Sequence, residues 1–149
     1  TTENYTLSLH DALPIWQNPA NLDIYLFGPS GIGSFVCHAG VPNPAGSGVE
    51  LIHEASNSFG PETMQINSLN SGIYVLAVCN KSNLSDLGGV EIYNTRAKVE
   101  IFNNGGLLQS FSAPPATEGN AWKVFKMLVK PGLVQIDALN EYVRIDSLP

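Results

Sequence analysis

A glycine-rich segment is the first place where this sequence could bind a ligand. Gly28 and Gly33 have the spacing of a phosphate-binding loop, G-x-x-x-x-G-K-[ST], in which glycine backbone wraps the phosphates and the Lys neutralises them. Ser34 occupies the Lys position, and Phe35 to His38 are typical of a strand where that motif needs a helix. We therefore predict a hairpin turn here and not a nucleotide site.

Histidines beside a nucleophile would indicate acid–base or covalent catalysis. His38 and His53 are fifteen positions apart, and no nearby serine or cysteine forms a recognisable nucleophile motif with them. Their spacing is also not that of a metal-ligand motif, so we interpret both as surface or half-buried strand residues. The sequence therefore predicts a protein that is not an enzyme.

The two cysteines leave two interpretations open. Cys37 and Cys79 are 42 positions apart, without the C-x-x-C spacing of zinc or redox sites. They are either buried thiols that act as small hydrophobic residues or, in an exported protein with their strands adjacent, a structural disulfide.

The first fifteen residues resemble a translated sequencing-library adapter. A common adapter read in one frame encodes TTEIYTLSLHDALPI, and this chain differs from it only at Asn4. We therefore expect residues 1–15 to be an artefact, the natural reading frame to resume at Trp16, and a single domain to cover residues 16–149. On this interpretation His10 and Asp11, which could otherwise act as an acid–base pair, have no functional role.

The elements that position these residues are predicted to be strands. Short apolar runs with two-residue alternation, separated by Gly, Pro, Asn and Ser, continue almost to the end of the chain, and Leu22, Ile24 and Leu26 share one face of the first run. The runs fall at about 22–26, 34–38, 49–54, 62–67, 72–79, 97–102, 107–112, 122–129 and 133–139, with residues 143–145 in a last short strand or a linker. We predict eight or nine strands and no amphipathic helix. Since each sheet must bury its apolar face, the expected fold is all-β, a two-sheet antiparallel sandwich of the immunoglobulin or fibronectin type.

Composition and charge limit the classes of partner that this protein is expected to bind. The chain has 13 acidic and 7 basic side chains, and without Glu3 and Asp11 its net charge is −4. A nucleic-acid binder needs clustered Lys and Arg, and no basic stripe is present. No apolar run approaches the roughly 20 residues of a membrane-spanning helix. We therefore expect neither nucleic-acid binding nor membrane insertion.

Three groups of segments carry a family resemblance. They are Trp16 and Asn21–Leu26 followed by Gly28–Gly31; Phe59–Glu62 leading to Ser71–Val75; and Val99–Phe102 leading to Trp122–Phe125. In order and spacing this resembles the YfaP-like family of bacterial secreted and surface proteins, over about residues 16–140. The most specific element is Gly60-Pro61-Glu62 shortly before a G-x-Y strand. The resemblance implies an exported, extracytoplasmic β-sandwich, alone or appended to larger surface proteins, with no established catalytic activity.

The YfaP-like pattern is also rich in carboxylates that could converge on calcium, which takes six to eight oxygen ligands. The residues of this chain that match are Asp23, Glu54, Asn57 and Glu62. Elsewhere the acids of the pattern are replaced, at Asn21, Ile52 and Ala55. We favour the interpretation that these residues cap turns and solvate strand edges, because too few charged ligands remain to offset the desolvation of a dication. No cofactor is then expected, and calcium is the alternative.

The predicted function is that of a non-catalytic module of a secreted or cell-surface protein, serving adhesion, spacing or assembly. Its partners would be other domains of a larger surface protein or identical subunits. The alternatives are a self-assembling subunit of an extracellular filament and an accessory domain of a secreted enzyme. Recognition is expected in the loops at 28–33, 42–48 and 81–89, because loops on a rigid scaffold carry binding residues.

Overall fold

Ten strands and one short helix occur in the residues that the computed structural model describes, which are 4–10, 22–53, 62–80, 90–115 and 119–145. The strands are β1 (Tyr5–His10), β2 (Leu22–Ser30), β3 (Gly33–Cys37), β4 (Val49–His53), β5 (Glu62–Ile66), β6 (Gly72–Asn80), β7 (Lys98–Asn103), β8 (Gly106–Ser112), β9 (Ala121–Lys130) and β10 (Leu133–Val143), and the helix α1 is Val90–Asn94. Across these ranges no helix has the length and apolar character needed to span a membrane.

The strands form two antiparallel sheets of five. Sheet A has the order β4-β5-β1-β7-β8, and sheet B has the order β10-β9-β6-β2-β3. One core of buried side chains from both sheets lies between them. The predicted antiparallel sandwich is confirmed, with ten strands rather than eight or nine.

The inward faces of the strands follow the predicted alternation. Leu22, Ile24 and Leu26 of β2 are all buried in the core between the sheets. Larger side chains from the neighbouring strands of sheet B, such as Trp122 and Phe125 of β9, fill the same space. Burial of each large apolar side chain contributes about 1.5 to 3 kcal/mol, which makes this layer the main source of stability.

The glycine-rich segment is a hairpin, as predicted. β2 continues through Gly28 to Ser30, two residues turn the chain, and β3 returns beside β2. Gly28 is set by packing, because a Cβ there would lie 2.6 Å from Cδ1 of Tyr74 and 2.8 Å from Cε1 of Phe35. The glycine thus allows two rings of the core to approach the backbone of β2.

The end of β10 differs from the prediction. Val143 is the last residue of β10 and not part of a separate short strand. The β9–β10 register shifts between Ala138 and Glu141, and Asn140 within this bulge has a φ of 48°. Asn tolerates that left-handed conformation, and its Oδ1 accepts a hydrogen bond from Nε1 of Trp122 at 3.2 Å. The bulge lets one strand continue where the sequence suggested a break.

Part of the segment predicted to lie outside the domain forms the central strand of sheet A. β1 pairs with β5 on one side and with β7 on the other. Tyr5, Leu7 and Leu9 alternate along it and are buried in the core. In this chain the sandwich therefore includes Tyr5–His10 as well as the strands from Leu22 onwards, because the alternation of Tyr5, Leu7 and Leu9 fits an inward-facing strand. The adapter origin of residues 1–15 stays a prediction.

Leu7→Ala tests whether β1 is integral to the fold. Leu7 is 1% exposed, so we expect the substitution to lower the free energy of unfolding by about 2 to 5 kcal/mol through lost burial and a residual cavity. Urea denaturation followed by circular dichroism measures the change. Leu107→Ala on the exposed edge strand β8 is the matched control and should change stability by less than about 0.5 kcal/mol. Equal effects of the two substitutions would contradict the central position of β1.

Candidate functional site

Glu62 links the two sheets at one end of the sandwich. It begins β5 in sheet A, is 1% exposed, and its Oε1 accepts a hydrogen bond from the backbone N–H of Ile24 in sheet B at 3.0 Å. β3 pairs with β2 only from Leu26 to Ser30, so Ile24 lies beyond the last residue that β3 covers. The carboxylate thus supplies an acceptor where the sheet has lost one neighbouring strand, and a charged acceptor makes the stronger hydrogen bond.

Asp23 is the second buried carboxylate at this end. It is 2% exposed, precedes Ile24, and lies opposite Cys79 in the β2–β6 register. Asp23 and Glu62 each make further interactions. The fold therefore brings two of the four predicted calcium ligands to the first residues of β2. Their burial does not fit the interpretation that they solvate strand edges.

The other two predicted ligands, Glu54 and Asn57, lie outside the described residues. Within the part of the chain that the structure describes, no group of three or more His, Cys, Asp or Glu side chains is placed to hold a metal ion. The described contribution to a cation site is thus the carboxylate oxygens of Asp23 and Glu62, to which backbone carbonyls would have to be added.

The carboxylates act on the ionisable groups around them. Burial, and then the charges of Cys79, Asp23 and Glu62, raise the pKa of Tyr25 to about 12. Burial and the neighbouring Asp23 raise the pKa of Cys79 to about 12. Burial raises the pKa of Cys37 to about 12 against a backbone hydrogen bond that lowers it, and Glu62 adds to the rise. The phenol and both thiols therefore stay protonated well above neutral pH, chiefly because they are buried, with a smaller contribution from the nearby carboxylates.

His38 packs on Tyr25 beside the carboxylates. The two rings are stacked, with centroids 4.7 Å apart and planes 10° from parallel. His38 is buried, so the expectation of a surface or half-buried histidine is wrong for it. Its Nδ1 accepts the backbone N–H of Gly40 at 3.1 Å, which places the proton of the neutral ring on Nε2. The side chain of His53 lies outside the described part of the structure.

The thiols are free and not bridged. Cys37 belongs to the core between the sheets, whereas Cys79 belongs to a separate apolar cluster on the opposite face of sheet B. β2 also lies between their strands. Of the two interpretations, the structure supports buried thiols, because side chains on opposite faces of a sheet cannot meet in a disulfide.

Two of the loops expected to carry recognition meet at the opposite end of β2. The backbone N–H of Gly31 donates to the carbonyl of Gly46 at 3.2 Å, and the Asn70 side-chain amide donates to the carbonyls of Pro29 and Gly46, at 3.3 Å each. The 28–33 and 42–48 loops therefore form one hydrogen-bonded group at the end of the sandwich away from Asp23. The loop at 81–89 lies outside the described residues.

The known proteins that this chain resembles were found by comparison of structures and not of sequences. No protein-family model and no curated protein matches the chain. The crystal structure of a homologue of the telluride resistance protein TerD from Streptomyces coelicolor A3(2) covers 98% of this chain and 93% of its own, with 14% identity and a TM-score of 0.74. A protein of unknown function, SAV2460, covers 95% and 92%, with 16% identity and a TM-score of 0.68. At these identities the similarity shows a shared sandwich fold.

These neighbours overturn the function predicted from the sequence. A secreted or cell-surface module for adhesion, spacing or assembly was expected, with a filament subunit or an accessory domain of a secreted enzyme as alternatives. The structures that resemble the chain are instead a TerD homologue and a protein of unknown function, and neither indicates a secreted adhesion module. They do not bear on the YfaP-like resemblance, so membership of that family, export and the expected partners stay predictions.

The raised pKa values predict alkaline destabilisation. Cys37 and Cys79 have pKa values of about 12 in the folded chain against 9.0 ordinarily, so the folded state holds both protons more tightly. Their contribution to stability is complete below pH 9 and is lost as the pH rises towards 12. Urea denaturation between pH 8 and pH 10.5 should show this fall. The double variant Cys37→Ala, Cys79→Ala should show a shallower slope, and a slope equal to that of the wild type would contradict the assignment.

Proposed function

We propose that the protein is a non-catalytic binding domain that takes up a divalent cation, calcium by its ligand chemistry, at the start of β2, with Asp23 and Glu62 as its carboxylate ligands. The observation that carries the proposal is the burial of two carboxylates near the start of β2. Asp23 belongs to β2 itself, and Glu62 comes from sheet A and accepts the N–H of Ile24, the residue after Asp23. Carboxylate oxygens are the ligands that calcium prefers.

Electrostatics support a cation at this place. Burying an anion is costly unless positive charge or hydrogen bonds compensate it, and Asp23 and Glu62 are only 2% and 1% exposed. Burial is the main cause of the raised pKa values of Tyr25 and Cys79; Asp23 adds to both, and Glu62 adds to that of Tyr25. A bound dication would offset the cost of burying the two carboxylates.

The sequence supplies further candidate ligands for the same site. Glu54 and Asn57 match the carboxylate-rich pattern and precede Glu62 by a few residues along the chain. Together with backbone carbonyls they would bring the oxygen count towards the six to eight that calcium takes. The described part of the proposed site is therefore the start of β2 and the start of β5.

We also propose that the groups around the site do not catalyse a reaction. Cys79 and Tyr25 border the carboxylates, and their raised pKa values keep the thiol and the phenol protonated at neutral pH. A protonated thiol is a poor nucleophile. These groups suit a packing role beside a bound ion rather than attack on a substrate.

Calcium titration of the wild type and two charge-removing variants tests the proposal. Glu62→Gln keeps an oxygen that can accept the Ile24 N–H, and Asp23→Asn has nearly the shape of the wild-type side chain, so both remove charge with little change in size. At a hundredfold excess over Kd, calcium should stabilise the wild type by about 2.7 kcal/mol and raise its Tm. Both variants should lose most of the calorimetric heat and of the Tm increase.

Asp137→Asn is the control, because Asp137 lies on β10, distant in the sheet order from the start of β2, and is expected to respond to calcium as the wild type does. A wild type that gives no heat and no change in Tm with calcium would refute the proposal. Equal calcium responses in the wild type and the Glu62→Gln variant would also refute it, since binding would then lie elsewhere.

A part in telluride resistance is a second candidate function. It is favoured by the extent of the structural match to the TerD homologue, which runs over almost the whole of both chains. Expression of the chain in a bacterium sensitive to tellurium salts should raise the tolerated concentration relative to an empty vector. Unchanged tolerance at verified expression would contradict this candidate. Loss of the effect in the Glu62→Gln variant would connect it to the cation site.

A further inference from the structure

One side of the sandwich is closed by the chain itself. The edge strands on this side are β3 and β4, and the segment that joins them lies against both. The carbonyl of Pro42 accepts the backbone N–H of Leu51 on β4 at 2.7 Å and the thiol of Cys37 on β3 at 3.4 Å. The joining segment therefore covers the edges of both sheets here.

The opposite side of the sandwich is open. Its edge strands are β8 and β10, and a groove of about 580 Å³ lies between them. Leu108 of β8 and Leu133 of β10 line this groove, and each is 45% exposed. Within the described ranges no further strand pairs with the outer edge of β8 or of β10. An unpaired edge presents backbone donors and acceptors that a strand of another chain can bind.

Of these two open edges, β8 is the one suited to pairing. β10 carries Asp137 and Glu141, and its register with β9 shifts between Ala138 and Glu141. β8 has no charged residue and no proline, and five of its seven residues are exposed. Its register with β7 shifts at Leu108, but residues 109–112 are regularly paired. Charges, prolines and bulges are the features that keep sheet edges apart, so residues 109–112 form an edge without such protection.

We propose that two copies of the chain associate by antiparallel pairing of β8 with the β8 of the second copy. The chain has a net charge of −6, so two copies repel each other unless they meet at a surface without charge. β8 is such a surface, and its pairing with itself brings no like charges together. The added strand would also cover part of Leu107 and Leu108, which are 53% and 45% exposed.

The proposed contact closes at two chains. Each copy contributes the same strand, so the contact is two-fold and leaves no second β8 edge to continue the assembly. The pairing goes beyond the proposed cation binding and does not depend on it, because Asp23 and Glu62 lie on β2 and β5, neither of which is next to β8.

Sedimentation velocity of the full chain at rising protein concentration tests the proposal. A contact between two short strands is small, so we expect a dimer that forms reversibly as the concentration increases. Leu108→Lys places a charge on the edge in both copies and should raise the Kd of the dimer by about tenfold or more. Ile52→Lys is the matched control, because Ile52 is 51% exposed on β4 at the opposite edge of sheet A, and it should keep the wild-type Kd.

Hydrogen exchange locates the contact. The backbone amides of Gly106–Ser112 should exchange more slowly at high than at low concentration of the wild type, and those of Leu133–Val143 should not change. In Leu108→Lys this dependence on concentration should be lost. Should that variant not fold by circular dichroism, Ser112→Lys replaces it, since Ser112 is exposed at the other end of β8.

Four results would overturn the pairing of β8. A wild type that stays monomeric at the highest soluble concentration would do so, and so would a wild-type Kd in a folded Leu108→Lys or Ser112→Lys variant. Assemblies larger than two chains would contradict the closed two-fold contact. Dissociation by Ile52→Lys, or slowed exchange in β10 without slowed exchange in β8, would place the contact on another edge.

Discussion

Successive side chains of a strand point to opposite faces of its sheet, and in β2 this constraint places buried residues on both faces. Leu22, Ile24 and Leu26 close the core against sheet A, while Asp23 and Tyr25 are buried on the other side. The stability of the sandwich depends on the first set. Asp23 and Tyr25 carry the ionisable groups of this strand. They are held in place because the three core residues fix the position of β2.

The length of β3 decides where the acidic site lies. β3 stops short of the first residues of β2, and the Glu62 carboxylate crosses from sheet A to bond the Ile24 N–H that lies beyond it. A buried anion is thereby used to join the sheets at one end. The same anion and Asp23 are the proposed ligands of the cation, so a structural role for Glu62 and the proposed cation binding rest on a single arrangement.

Asp23 and the apolar cluster on the outer face of sheet B are neighbours, but they have different chemistry. Cys79 belongs to both environments, since it lies opposite Asp23 in the register and within the cluster. Its thiol is kept protonated by burial and by the nearby carboxylate. The similarity to a TerD homologue shows that this sandwich exists in other proteins, and the side chains on its outer face are where this chain can differ from them.

The sequence by itself determined the all-β sandwich, the faces of β2 and the hairpin after Gly28, because two-residue alternation and turn residues are local signals. Asp23 and Glu62 were candidates through the resemblance to the YfaP-like pattern. Only the tertiary structure decided that β1 is central, that the two thiols face opposite sides and that β8 is an edge strand of its sheet. These features depend on strand order and register, which join residues far apart in the chain, and no local pattern specifies which strands become neighbours.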